Sequence, residues 1–156
     1  MIPAFVDGTN LPIGGHDCTL AEIEGVFAYN DHRQTLFGTL VELLRLARRC
    51  GFLHALLAGS YPTSKEEPKD LDLTWFCRPG TDKTTVNSEC IKLMEDKGGA
   101  ANFQVVPYDK GSLPEHYGEK RALWASPDYF GRDWQTNTPR GVLLLDLTDD
   151  NDLRLL

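Results

Sequence analysis

No CxxC pair occurs in this 156-residue chain: its four cysteines stand far apart, at Cys18, Cys50, Cys77 and Cys90. Zinc-site and thioredoxin chemistry therefore lack their usual spacing. The thiols read as free and mostly buried, in a reducing compartment. No apolar stretch approaches the roughly 20 residues of a membrane span. Met1 to Phe5 has neither a basic n-region nor a long apolar h-region, so a secretory signal is not expected and a cytoplasmic location is. Basic residues are the minority, 16 against 23 acidic, for a net charge of −7. A broad nucleic-acid-binding surface would normally show a basic patch or stripe, although one local cationic pocket for a single nucleotide remains compatible with this balance. Repeats, low-complexity tracts and long linkers are missing too. Gly14-Gly15 and Gly98-Gly99 match neither a P-loop nor a dinucleotide fingerprint, no GxSxG elbow surrounds Ser60, and His16, His32 and His116 show no HxxxH spacing.

What remains is the composition of an ordinary globular domain, with 41% apolar and 25% charged residues. Residues 1–156 are expected to form one domain. Met1 to Asp17 reads as an extended lead-in. Thr19-Leu20-Ala21-Glu22 fits a capping box, opening a short helix to about Ala28. Leu36, Phe37, Leu40, Val41, Leu44 and Ala47 recur at helical spacing, with Arg48 and Arg49 in the last turn, read as a solvated end, and Gly51 as the stop. Phe52 to Ala58 reads as a buried strand, with His54 as a core histidine. Asp70 to Trp75 alternates polar and apolar residues, as a half-buried strand does. A helix is expected from about Asp82 to Lys97, with Val86, Cys90, Ile91 and Met94 inward. Strands follow at Phe103–Val106 and Gly141–Leu147, and Asp146 to Asp152 reads as a solvated acidic tail. Trp75, Trp124 and Trp134 read as core or interface residues. Interleaved strands and helices give an α/β (α+β) class: a small mixed β-sheet with helices packed on it.

The segment with chemical content is Gly59-Ser60, nine residues, then Asp70-x-Asp72. Residues two apart on a strand project from one face, so two carboxylates stand side by side and repel unless a cation lies between them. Magnesium commonly takes one or two carboxylates plus substrate phosphates. A Gly-Ser turn after a buried strand offers close backbone approach and a hydroxyl beside a phosphate, and Lys65 adds a cation on the intervening loop.

Strand, Gly-Ser turn, loop and a strand bearing DxD resemble the polymerase-beta-like nucleotidyltransferase superfamily, in particular its minimal branch. The run Gly59-Ser60-Tyr61-x-Thr63-x-Lys65-x-x-Pro68-x-Asp70-x-Asp72 is similar to a bacterial nucleotidyltransferase-like family of unknown function. Two flanking features fit the same group: Leu11-Pro12-x-Gly14 near the start, and Tyr129-Phe130 followed by Gly141-Val142 near the end.

The resemblance implies a nucleotidyltransferase-like fold and magnesium-dependent transfer of a nucleotidyl group from a nucleoside triphosphate to a protein or small-molecule acceptor. Asp70 and Asp72 would hold Mg2+, and Gly59, Ser60 and Lys65 the nucleotide. A third carboxylate from a later strand would complete a two-metal clamp. Here that strand reads Phe103-Gln104-Val105-Val106, with Gln104 in the polar slot; Asp109 is the nearest carboxylate beyond it. The loop between Ser60 and Asp70 is one residue shorter than in the minimal branch. These departures leave a second expectation open: a catalytically weak or inactive nucleotidyltransferase-like binding module with a protein partner, as in a toxin–antitoxin or defence pair.

Overall fold

The structure is a computed structural model and describes residues 1–77, 84, 88–89, 92, 96, 101–107 and 140–155. The chain order is β1 (Gly15–Asp17), α1 (Leu20–Phe27), α2 (Asp31–Arg49), β2 (Phe52–Ala58), β3 (Leu71–Cys77), β4 (Ala101–Pro107), β5 (Val142–Asp146) and a 3-10 turn, Leu153–Leu155. One mixed sheet runs β1-β5-β2-β3-β4. Its central pairs, β5-β2 and β2-β3, are antiparallel, and the outer pairs, β1-β5 and β3-β4, are parallel. The fold is therefore mixed α+β, and among the described residues it comprises this mixed sheet with α1 and α2.

Local chemistry explains the helix boundaries. Thr19 Oγ1 accepts from the Glu22 amide (3.2 Å), and Glu22 Oε2 accepts from the Thr19 amide (2.9 Å), closing the expected capping box. Asn30 caps α2 by accepting from the Arg33 amide at 2.8 Å. Gly51, at φ +88°, ends that helix as a left-handed residue, its amide bonded to Arg48 O.

Helix α2 buries Leu36, Phe37, Leu40, Leu43, Leu44, Leu46 and Ala47 against one face of the sheet. Each such side chain contributes roughly 1.5–3 kcal/mol by leaving water. The sheet side of this core is Ala55 and Leu57 of β2, Leu71, Leu73 and Trp75 of β3, and Leu143 and Leu145 of β5. Residues of the opposite parity, Leu56, Ala58, Phe76, Val142 and Leu144, form a second buried cluster on the other face. Trp75 is thus a core residue, as expected.

Three parts of the chain depart from the sequence reading. The lead-in contains a short strand, β1, paired with β5 through Gly15–Val142, His16–Leu143 and Asp17–Leu144. Arg48 is not solvated: Nη1 donates to Leu147 O (3.0 Å) and Asp149 O (2.8 Å), and Nη2 meets Asp150 Oδ1. The main chain of the acidic tail is held, although the Asp146 and Asp150 side chains stay exposed, as the sequence reading has it. Leu147 and Leu155 are buried, Arg45 donates to Arg154 O, and Arg154 pairs with Glu24 at 2.6 Å. The carbonyls of Leu147, Asp149 and Arg154 need donors, and α2 supplies them through Arg45 and Arg48.

In the stretch expected to be helical from about Asp82 to Lys97, Thr84, Ser88, Glu89, Lys92 and Asp96 are helical and exposed. Val86, Cys90, Ile91 and Met94 lie outside the described residues, as do Trp124, Trp134, Tyr129 and Phe130. No helix among the described residues is long and apolar enough to cross a membrane.

Candidate functional site

The chain leaves β2 at Ala58 and turns at Gly59, whose φ of +75° lies in the left-handed region open to glycine. It returns in β3, where the antiparallel register pairs Ala58 with Asp72. That pairing brings Asp72 back over the turn. A Cβ placed on Gly59 would overlap Asp72 Oδ2 outright and lie 2.8 Å from its Cγ. The Asp72 carboxyl therefore occupies the space that a side chain at position 59 would fill. The Gly59 turn thus lies against one of the two carboxylates.

Asp70 immediately precedes β3, so the strand begins one residue later than the alternation implies. Leu71, between the two aspartates, is fully buried in the helix-side core, whereas Asp70 and Asp72 are half-buried. Alternation puts Asp72 and Thr74 on the face away from α1 and α2. Ser60 follows Gly59 directly and is half-buried; its carbonyl accepts from Thr63 Oγ1 at 2.6 Å.

The parallel β3-β4 register pairs Asp72 with Asn102 and Thr74 with Gln104. Gln104 thus lies two register pairs beyond Asp72 rather than level with it, and the level residue, Asn102, is also an amide. Asp109 lies outside the described residues. Among the described residues, no group of three or more His, Cys, Asp or Glu is placed to hold a metal ion. A pair of carboxylates with substrate phosphates is nevertheless a common magnesium donor set, so Asp70 and Asp72 fit one ion bound together with a nucleotide.

Lys65 does not join this group. It is exposed and lines a cavity of about 680 Å3 with Asn30, Asp31, His32, Glu66 and Glu67 at the start of α2. Its main chain belongs to the loop joining Ser60 to Asp70, which is fastened on two sides. From the N-terminal segment, Thr9 O accepts from the Ser64 amide at 3.0 Å, and Asn10 bridges Thr63. From the α1-α2 junction, Tyr29 Oη donates to Ser64 O (3.2 Å), Asn30 Nδ2 to Glu66 O (2.9 Å) and His32 Nε2 to Pro68 O (2.6 Å). Between these lies the guanidinium of Arg33, fully buried and bonded to loop carbonyls. Sequence reasoning missed this residue. The available signal was a charge on the apolar stripe of α2, one turn before Leu36 and Phe37.

The first flanking sequence feature meets the Gly141-Val142 part of the second. Gly141 N donates to Leu11 O (3.1 Å) and Val142 N to Gly14 O (3.0 Å), while His16 Nε2 donates to Pro12 O at 2.7 Å. A Cβ on Gly141 would overlap Pro12 O and lie 2.9 Å from both His16 Nε2 and Leu11 Cβ. Close approach of two backbones, not backbone conformation, requires glycine here.

His54 is a half-buried sheet residue in register with Asp146, its Nδ1 lying 3.9 Å from Asp146 Oδ1. Burial lowers its pKa below the ordinary value, opposed by the Asp146 and Asp17 carboxylates. Burial pushes the Cys18 thiol up to about 12, with help from Glu22 and Asp17. At neutral pH the Cys18 sulfur is therefore held as the thiol, not the nucleophilic thiolate.

A sequence-family model described as a family of unknown function (DUF6932) matches residues 3–146, a span that includes the Leu11-Pro12 segment, the Gly59–Asp72 contact and β5. No curated protein and no solved structure matches the chain.

Proposed function

The chain belongs to the family of unknown function DUF6932, and we propose that it is a nucleotidyltransferase-like protein using magnesium and a nucleoside triphosphate to modify a protein or small-molecule acceptor. The observation that carries this reading is the seat of the Asp72 carboxyl against Gly59, at the turn that presents Ser60. It supports a single cleft in which a carboxylate and a phosphate-binding turn meet.

Asp70 and Asp72 hold the cation. Bound there with nucleotide, magnesium would offset charge on the phosphate oxygens. The Ser60 hydroxyl and the turn amides orient the phosphates. In the transfer, an acceptor hydroxyl oxygen bonds to the α-phosphorus and the bond to the leaving pyrophosphate breaks. The hydroxyl proton passes to a base, for which Asp109 is the candidate on this chain.

A second reading, a binding module with little or no transfer activity, is favoured by one observation. Amides, Asn102 and Gln104, occupy the β4 positions level with Asp72 and Thr74. A clamp on the attacking oxygen acts mainly in the transition state, so its loss lowers rate more than affinity. Incubating the protein with each labelled nucleoside triphosphate, magnesium and cell extract separates the two. Labelled product that disappears with Asp72→Asn supports the enzyme. Nucleotide binding without product, gained on Gln104→Asp or Asn102→Asp, supports the module. Neither binding nor product rejects both.

A further inference from the structure

We propose that Arg33 is the positioning residue of the nucleotide loop, locking the segment between Ser60 and Asp70 in one conformation beside the paired strands that carry the site. This rests on the nucleotide reading above and adds to it a residue remote from the ligand.

Arg33 lies in the first turn of α2 and is 0% exposed. A buried guanidinium is costly unless its hydrogen bonds are made. Here all five of its N–H donors are used on carbonyl oxygens. Nε donates to Lys65 O (2.9 Å), Nη1 to Phe27 O (3.1 Å) and Tyr61 O (2.9 Å), and Nη2 to Thr63 O (2.7 Å) and Lys65 O (2.6 Å). The rings of Tyr29 and Tyr61 lie 4.9 and 5.0 Å from its central carbon, where a cation is attracted to the π-face. Tyr61 Oη returns a hydrogen bond to Arg33 O at 3.2 Å.

Three of the four accepting carbonyls, those of Tyr61, Thr63 and Lys65, alternate along the loop. A single planar fork therefore fixes its path over five residues, immediately after the turn that carries Ser60. The β2-β3 pairing already holds Ala58 against Asp72, so what the fork adds is the path of the chain beyond that pair, from Ser60 to Asp70. Pinned to α2 through the Tyr61, Thr63 and Lys65 carbonyls, the loop keeps one conformation beside the paired strands. Arg33 reaches no ligand itself, being enclosed; it acts through the loop.

Arg33→Lys keeps the charge and most of the stem but replaces five forked donors with three on a point charge. Two readouts are taken well below the melting temperature, where the variant is fully folded: amide hydrogen exchange, and titration with magnesium plus ATP, GTP, CTP or UTP, using whichever binds the wild type. In Arg33→Lys, amides of residues 60–69 should exchange at least about tenfold faster while those of β2 and the second half of α2 hold, as expected of a local opening. The nucleotide Kd should rise by at least about tenfold, the equivalent of about 1.4 kcal/mol. A lysine variant with unchanged loop exchange, or unchanged Kd in the folded protein, overturns the assignment. Should that variant not fold, Tyr29→Leu perturbs the same latch from its exposed side, and should move both readouts the same way by a smaller factor; no change in either overturns the proposal. Wild-type protein that binds none of the four nucleotides overturns the nucleotide reading, and with it Arg33 as part of such a site. Binding by wild type that Arg33→Lys leaves intact overturns Arg33 alone.

Discussion

Gly59→Ala tests the contact on which the candidate site is built, because the two costs it incurs can be separated. At φ +75° an alanine is held in the left-handed region, at roughly 1–2 kcal/mol. Its Cβ would also overlap Asp72 Oδ2 and approach Cγ to 2.8 Å and Cβ to 3.1 Å, so the aspartate must leave its rotamer, at roughly 0.5–1.5 kcal/mol. Gly51 supplies the control. It has φ +88° and nothing within 4 Å of the place an alanine Cβ would take, so Gly51→Ala carries the backbone cost alone. In urea titrations, Gly59→Ala should be the more destabilising by roughly 0.5–1.5 kcal/mol. In an Asp72→Ala background that excess should vanish, a coupling a double-mutant cycle reads directly. Equal costs for the two glycines, or an excess that persists without Asp72, would refute the geometry.

Other outcomes follow from the same structure. Gly141→Ala drives a methyl into Pro12 O, a backbone atom that cannot rotate away; by the cost of overpacking it should destabilise by about 1–3 kcal/mol, seen as a lower urea midpoint with unchanged slope. Cys18, with its thiol pushed up to about 12, should resist iodoacetamide at pH 8 in the native protein and react only on unfolding, as mass spectrometry of the labelled peptides will show. The folded-state pKa of His54 is depressed below 6.5, so the unfolded chain takes up its proton first. The stability it contributes is present above pH 6.5 and lost as pH falls towards the folded value. Stability measured at pH 7.5 and 5.5 should therefore differ less in His54→Gln than in wild type; an equal or larger difference would contradict this.

Elements legible in the sequence were those specified locally. The apolar run Phe52–Ala58 is bounded by Gly51 and Gly59, and it forms β2 with those limits. The Thr19–Glu22 box and the apolar stripe of α2 likewise act within a few residues of themselves. β1 was missed because Gly-His-Asp has no strand pattern; it exists only through pairing with β5, more than a hundred residues away. Arg48 was misread for the same reason, since the carbonyls it serves return from the far end of the chain. The placement of Gly59 beside Asp72 was legible because a turn between paired strands brings its own ends together. Lys65 was not, since loop composition says nothing of which way a side chain leaves the loop, and it faces the start of α2. Arg33 was obscured by its chemistry, a charged residue at a core position, whose partners are main-chain carbonyls without a sequence signature.

The most direct test of a magnesium–nucleotide site at Asp70 and Asp72 is the melting temperature with magnesium and each nucleoside triphosphate, for wild type and the Asp70→Asn, Asp72→Asn double variant. A ligand at about 100 times its Kd stabilises the folded state by about 2.7 kcal/mol, a rise of roughly 5–10 °C for a chain of this size. The account predicts that rise for at least one nucleotide in wild type, dependent on magnesium, and its loss in a double variant that still folds. No rise with any nucleotide, or the same rise in the double variant, would contradict it.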